Sequence, residues 1–401
     1  MTRMNRRAFL SRTGALGCSL AAAPLATPIA LAAAPGDNRL VVIILRGAMD
    51  GLDVVRPLGD PDYAALRPTL TKGDEVLALG DFFALHPALA GLYPLWAAGE
   101  LGFAHAVSTP YRDKRSHFDG QDILETGAAA VNGARDGWLN RALGLLPAST
   151  LRTAFAIGRE EMLILSGANQ VSQWAPDTAL ALTPQSRRLL TAMYKEAPLF
   201  RASMQEAIAL TDGGAVAQDH EAAQEAMMSS VRKAGKRGGA AKVAAFTAEQ
   251  LLGETRIASF SINGWDTHAG QKGALGRALR ELEAAILTLK DDLGPVWGKT
   301  TVLAMTEFGR TARENGSRGT DHGTGGAMVL AGGAVRGGQV HGDWPGLGEL
   351  DLYQARDLMP TGDIRAYAGV ALSRLFGLSV SDIEAQVFPG LDMATPPGII
   401  R

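Results

Sequence analysis

Four apolar runs, each stopping at a cluster of charged and polar residues, constrain this chain more than any other feature of it. They are Arg39 to Leu45 (RLVVIIL), Leu101 to Val107 (LGFAHAV), Arg256 to Ile262 (RIASFSI) and Thr301 to Met305. A run without alternation is buried on both faces, which suits a central strand of a parallel sheet. The first ends in Arg46-Gly47-Ala48-Met49-Asp50-Gly51-Leu52-Asp53, and the second leads into Ser108 to Asp119. Asn263-Gly264-Trp265-Asp266-Thr267-His268 follows the third, and Glu307, Arg310, Asp321 and His322 follow the fourth. In a parallel sheet all four clusters emerge at one edge, where open α/β sheets bind ligands.

Helical periodicity fills the intervals. Phe83 to Ala98 repeats around Leu85, Leu89, Leu92 and Trp96, and Gly273 to Leu293 runs through Leu275, Leu279, Leu282, Ile286 and Leu289. Phe118 to Thr126 reads as a helix with Ser116 as N-cap, Asp119 completing a capping box and Gly127 as its stop. Asp363 caps a last helix to Leu375, and Thr153 to Ile157 and Ala327 to Ala331 read as further strands. The alanine-rich stretch at about 184–252 is helical, either an insertion or one face of the sandwich, and its methionines read as core packing. This order predicts a three-layer α/β/α sandwich with a mostly parallel central sheet, one domain over 38–401 with a helical insertion.

The first 32 residues read as an address. Arg6-Arg7 precedes a mildly apolar, alanine-rich run, with Ala30-Leu31-Ala32 as the cleavage site, the pattern of a twin-arginine signal peptide. The run is broken by Pro24 and Pro28, which argues against a membrane anchor, and Cys18 has a poor lipoprotein context. Cys18 is the single cysteine, so a chain cut after Ala32 forms no disulfide and relies on its core. A net charge of −2 argues against nucleic acid and polybasic membrane binding, and no later segment is apolar enough to span a bilayer. The expected product is a soluble protein, periplasmic or secreted, whose partner during export is the twin-arginine translocase.

The clusters carry the chemistry. Asp266 and His268 lie two apart, so in extended backbone both side chains leave on one side and can reach one ion. Carboxylate with imidazole suits zinc, whereas all-oxygen sites suit calcium or magnesium. A metal beside arginines would grip an oxyanion from two sides, as phosphoryl or sulfuryl transfer requires. The glycines after the first run do not give the G-x-G-x-x-G spacing of a dinucleotide site, which places an exported oxidoreductase last. Each residue also has a structural reading. Ser116 can serve only as an N-cap, His117 as a packed histidine, and Asp53 and Asp119 as capping groups. His86, His105 and His220 fall in helix or strand patterns and receive no role, and His341 is left open. For Asp266, His268, Glu307 and His322 the functional reading prevails, and these four are expected to converge on one cation.

The motifs LVVIILRGAMDGLD, SHFDGQDILETG, NGWDTH, TEFGRT and TDHGTGGAM resemble those of a bacterial family, domain of unknown function 1501, exported by the twin-arginine route and related in fold to alkaline phosphatases and sulfatases. The resemblance implies an alkaline phosphatase-like fold and a metal-dependent hydrolase of phosphate or sulfate esters, small or polymer-linked. It implies Asp266, His268 and His322 as metal ligands, with Glu307 and Asp50 as further ones. Ser116 would be the nucleophile at a helix N-terminus, or His117 the acid or base, and Arg46 and Arg310 would clamp the oxyanion. Two positions depart from the superfamily pattern: Arg46 stands where an Asp is expected, and Glu307-Phe308 where Asp-His is expected. These leave a one-metal or altered centre beside a two-zinc one, and motivate the alternative of a non-hydrolytic binding or assembly protein.

Overall fold

The computed structural model describes residues 36–146, 153–157, 162–174 and 239–401. The signal-peptide reading, the methionine-bearing part of the 184–252 stretch and His220 lie outside these residues.

The central sheet contains strands β1 (Arg39–Arg46), β2 (Leu101–Ser108), β3 (Ala154–Ile157), β4 (Ser172–Trp174), β5 (Ile257–Asn263), β6 (Thr300–Met305), β7 (Gly326–Ala331), β8 (Val340–His341) and β9 (Gly362–Asp363). Their order across the sheet is β8-β2-β7-β6-β1-β5-β3-β4, with β9 also pairing β2. β1 runs parallel to both β5 and β6, whereas β7 is antiparallel to both β2 and β6. The sheet is therefore mostly parallel, and β1, β2, β5 and β6 all point the same way.

Alternate residues of β1 feed two cores. Leu40, Val42 and Ile44 pack with Trp138, Leu139, Ala368 and Leu372 on one face. Val41, Ile43 and Leu45 pack with Ala244, Leu279, Leu282 and Ile286 on the other. The helices concerned are α2 (Trp138–Leu145) and α5 (Ile364–Phe376) on the first face, and α3 (Gly239–Leu252) and α4 (Gln271–Leu293) on the second. Full burial on both sides is why these strands carry aliphatic residues without alternation. α3 packs on α4, so the end of the expected insertion belongs to one face of the sandwich.

Two local expectations need correction and a third needs refinement. Phe83 to Ala98 is not one helix: Phe83–Leu85 is a strand of a small second sheet, followed by a 3-10 turn at Pro87–Leu92 and a short helix at Tyr93–Ala97. Pro87 holds His86 extended (φ −59°, ψ 134°) and so breaks the helical periodicity. The capping box at α1 (His117–Thr126) is half formed. Ser116 Oγ accepts the Asp119 N–H, but the Ser116 N–H donates to the Tyr111 hydroxyl at 2.7 Å. The third is a refinement: the helix expected from about Gly273 is present as α4 and starts at Gln271, whose side chain is fully inside. No helix among the described residues is long and apolar enough to cross a membrane.

Candidate metal centre

The C-terminal ends of β1, β2, β5 and β6 meet at one sheet edge. The Asp321-His322 loop reaches the same edge because β7 is antiparallel and begins there. Backbones approach closely at this edge. Gly47 has φ +120°, and a Cβ on it would lie 2.6 Å from the Asp266 nitrogen. A Cβ on Gly319 would lie 2.4 Å from the His268 carbonyl carbon. These glycines let the loops touch main chain to main chain, which brings their side chains onto one point.

That point is the Asp266 carboxylate. His268 Nε2 lies 3.1 Å and His322 Nε2 3.3 Å from Asp266 Oδ1, and His117 Nε2 lies 3.5 Å from Oδ2. The two imidazoles of His268 and His322 meet Nε2 to Nε2 at 3.0 Å. His117, Asp266 and His322 each present one ligand atom within 4.8 Å of the others, forming a possible metal-binding group.

The second nitrogen of each ring is held by an acceptor. His117 Nδ1 bonds Glu307 Oε1 at 2.8 Å, His268 Nδ1 bonds Asp321 Oδ1 at 3.0 Å, and His322 Nδ1 bonds the Arg115 carbonyl at 2.8 Å. Arg115 has a left-handed backbone (φ 54°), and Asp357 takes its guanidinium at 3.2 Å. Carboxylates and carbonyls only accept, so each Nδ1 carries a hydrogen, and a ring with no second proton turns its Nε2 lone pair toward the group. Histidine ligands of metals are oriented in this way.

Charge reinforces the arrangement. Burial pushes the Glu307 carboxyl up, but hydrogen bonds from His117 and the Gly47 N–H outweigh it and hold the group below its ordinary value. Burial likewise raises Asp321, and the bonds from His268 and Asn315 bring it below the usual range. Asp266 is also lowered, burial being outweighed by Arg310 at 2.6 Å. His322 is lowered, chiefly by burial. All three carboxylates are ionised at neutral pH.

A divalent cation fits this donor set. A tetrahedral ion with bonds of roughly 2.0–2.1 Å separates its ligand atoms by about 3.3 Å; His268 and His322 Nε2 lie 3.1 and 3.3 Å from Asp266 Oδ1, and His117 Nε2 lies 3.5 Å from Oδ2 of the same carboxylate. The His117 Nε2 is moreover buried without a hydrogen-bond partner. The Glu307 hydrogen bond raises the His117 pKa above its ordinary value, so below that pKa the ring carries a second proton. A cation must displace that proton, so below the raised pKa binding releases about one proton and weakens as pH falls; above it the release disappears. Calorimetric titration at about pH 6 in buffers of different ionisation enthalpy measures this. Heats that do not depend on the buffer would exclude His117 as a ligand.

The remaining expected residues lie elsewhere. Glu307 lies outside the possible metal-binding group, and its Oε1 bonds His117 Nδ1. Asp50 is fully buried, with Oδ2 accepting from Arg67 Nη1 and Gln271 Nε2, both at 2.6 Å. The Arg310 guanidinium is buried and donates to the carbonyls of Ala48, Thr320, Gly47 and Trp265 as well as to Asp266. Its charge braces the loops and Asp266. Arg46 Nη1 contacts Glu125 Oε1 and Gln121 Oε1, both at 2.8 Å, and Gln121 Nε2 reaches Glu307 at 3.3 Å. Ser116, which precedes His117 in the chain, is the N-cap of α1. His105 is buried against Phe83 and Trp344, its pKa lowered by burial to about 4, in keeping with a packed histidine.

Residues 37–386, which include every residue of this centre, match the model of the family described as Protein of unknown function (DUF1501). The chain belongs to this family. No curated protein matches it. In this DUF1501 member, sequence reasoning did not place His117 in the possible metal-binding group, since a histidine in the first turn of a helix also reads as packing. It missed Asp321 as the orienting carboxylate, although an Asp directly before a ligand His was a usable signal.

Proposed function

We propose that this protein is an exported, metal-dependent hydrolase of phosphate or sulfate esters on an alkaline phosphatase-like fold. One observation carries the reading: bare Nε2 atoms converge on the Asp266 carboxylate with every Nδ1 engaged by an acceptor. Asp266, His117, His268 and His322 would hold the ion, and the nitrogen-rich set favours zinc over calcium or magnesium. When bound, a divalent cation polarises a phosphoryl or sulfuryl oxygen.

The chain supplies the rest. Ser116, at the N-terminus of α1 and next to ligand His117, is the nucleophile: its Oγ bonds to phosphorus or sulfur as the ester oxygen leaves with its electron pair. The serine proton ends on the departing alcohol, and water then cleaves the serine-linked intermediate. The helix N-terminus favours the anionic group during transfer. A cleft of about 570 Å³ adjoins the centre at Asp321 and is lined by Leu66, Leu352, Arg313, Asn315 and Arg356 among others. It is of a size to receive the alcohol part of the ester.

Export rests on Arg6-Arg7 and the cleavage site ahead of the matched segment. The test is to express the full chain in a bacterial host and recover the exported protein, expecting Ala33 at its N-terminus, one divalent ion per chain, and cleavage of aryl phosphate or sulfate that Ser116→Ala removes. Metal-free protein with no esterase activity after reloading with zinc would sink the proposal.

One observation favours the alternative, a non-hydrolytic binding protein. Both expected oxyanion clamps are engaged internally, Arg310 with carbonyls and Arg46 with Glu125. Metal-loaded protein that binds inorganic phosphate or sulfate without cleaving any ester would select that reading.

A further inference from the structure

Behind the metal centre lies a side chain to which neither the motifs nor the centre assign a role. Gln271, the first residue of α4, has no exposed surface, and its amide is fully engaged. Its Oε1 accepts from Thr267 Oγ1 at 2.9 Å and from Thr320 Oγ1 at 2.7 Å. Its Nε2 donates to Asp50 Oδ2 at 2.6 Å and Asp53 Oδ2 at 3.0 Å. Two lone pairs and two hydrogens are thus all used, and a flipped amide would set oxygen against two carboxylates. The orientation is fixed.

The two threonines are not arbitrary. Thr267 lies between ligands Asp266 and His268, and Thr320 lies two residues before ligand His322. Both are buried. The same loops are stitched by the Thr320 N–H to the Thr267 carbonyl (3.2 Å) and by the Gln271 N–H to the Arg318 carbonyl (2.9 Å). On the other side, Asp50 is paired with fully buried Arg67, and Asp53 with Arg56. A single amide oxygen therefore bridges two ligand-bearing loops, and the amide nitrogen anchors the side chain to a set of buried ion pairs.

We propose that Gln271 is the positioning residue of the metal centre, setting the separation of Asp266 and His268 from His322. The inference rests on the metal reading for its consequence but not for its bracing role. Thr267→Val with Thr320→Val removes both hydroxyl donors while keeping side-chain shape, and Gln271→Leu removes the amide. Cobalt(II) titration of the full chain should show affinity reduced about 10–100-fold, the range of outer-shell changes at metal sites, with altered visible bands at saturation. Each single threonine change should produce most of the effect of the pair, because both pull on one atom. A control destabilised elsewhere, Ile286→Val in α4, should keep wild-type affinity and bands.

Hydrogen exchange on the metal-free proteins gives the second readout: amides of 264–268 and 320–322 should speed up together in the threonine double variant. Wild-type cobalt affinity and bands in that variant would overturn the inference while leaving the metal reading intact. If wild-type protein binds no cobalt, the metal reading fails and exchange decides: joint acceleration upholds the brace, and unchanged exchange at either loop overturns it.

Discussion

His322→Ala is expected to abolish stoichiometric binding of a divalent ion while leaving the protein folded. His322 Nε2 lies within 3.3 Å of Asp266 and 3.0 Å of His268, so its removal takes a ligand atom from the middle of the group. Outer-shell changes at metal sites cost 10–100-fold in affinity; loss of a ligand should exceed this, at least about 1000-fold. The fold should tolerate it, because beyond the group itself the ring is anchored by a hydrogen bond to the Arg115 carbonyl and by contact with the Phe308 ring. Elemental analysis after dialysis reads the ion, and circular dichroism reads the fold. One tightly held ion per chain in the variant would remove His322 from the centre.

Asp50→Ala should do the opposite, losing stability but keeping the ion. Arg67 is completely buried and has Asp50 as its carboxylate partner at 2.6 Å. Its remaining bonds are to the carbonyls of Ala312 and Thr311, which cannot neutralise a guanidinium. Removing one member of a buried pair leaves an uncompensated charge and costs about 3–5 kcal/mol. A denaturant midpoint measures this, and the variant should still bind one ion per chain, since Asp53 also holds Gln271 in place. Unchanged stability together with loss of the ion would return Asp50 to the ligand role that its place after β1 suggested.

These two residues show what the sequence could and could not disclose. His322, Asp266 and His268 were legible because a polar cluster after a buried strand has few structural uses, and a spacing of two places side chains together in extended backbone. The parallel core was legible from runs buried on both faces. Asp50, Arg310 and Glu307 follow strands in the same manner, yet each side chain turns inward. Whether a carboxylate at a strand end faces the cleft or the packed interior depends on its distant partners. Arg67 is remote from Asp50 in the pattern that local reading uses, and the four carbonyls that accept from Arg310 have no sequence signature. Gln271 was invisible for a related reason: a glutamine at a helix start gives no sign of burial.

Asp266, His268 and Asp321 each leave nearly half of the side chain open to water, at 47, 45 and 49 %. A seat walled on one side and open on the other lets its occupant come and go without any unfolding. Among the divalent metals that nitrogen ligands favour, which ion resides there would then be decided by local supply and competition in the surrounding medium.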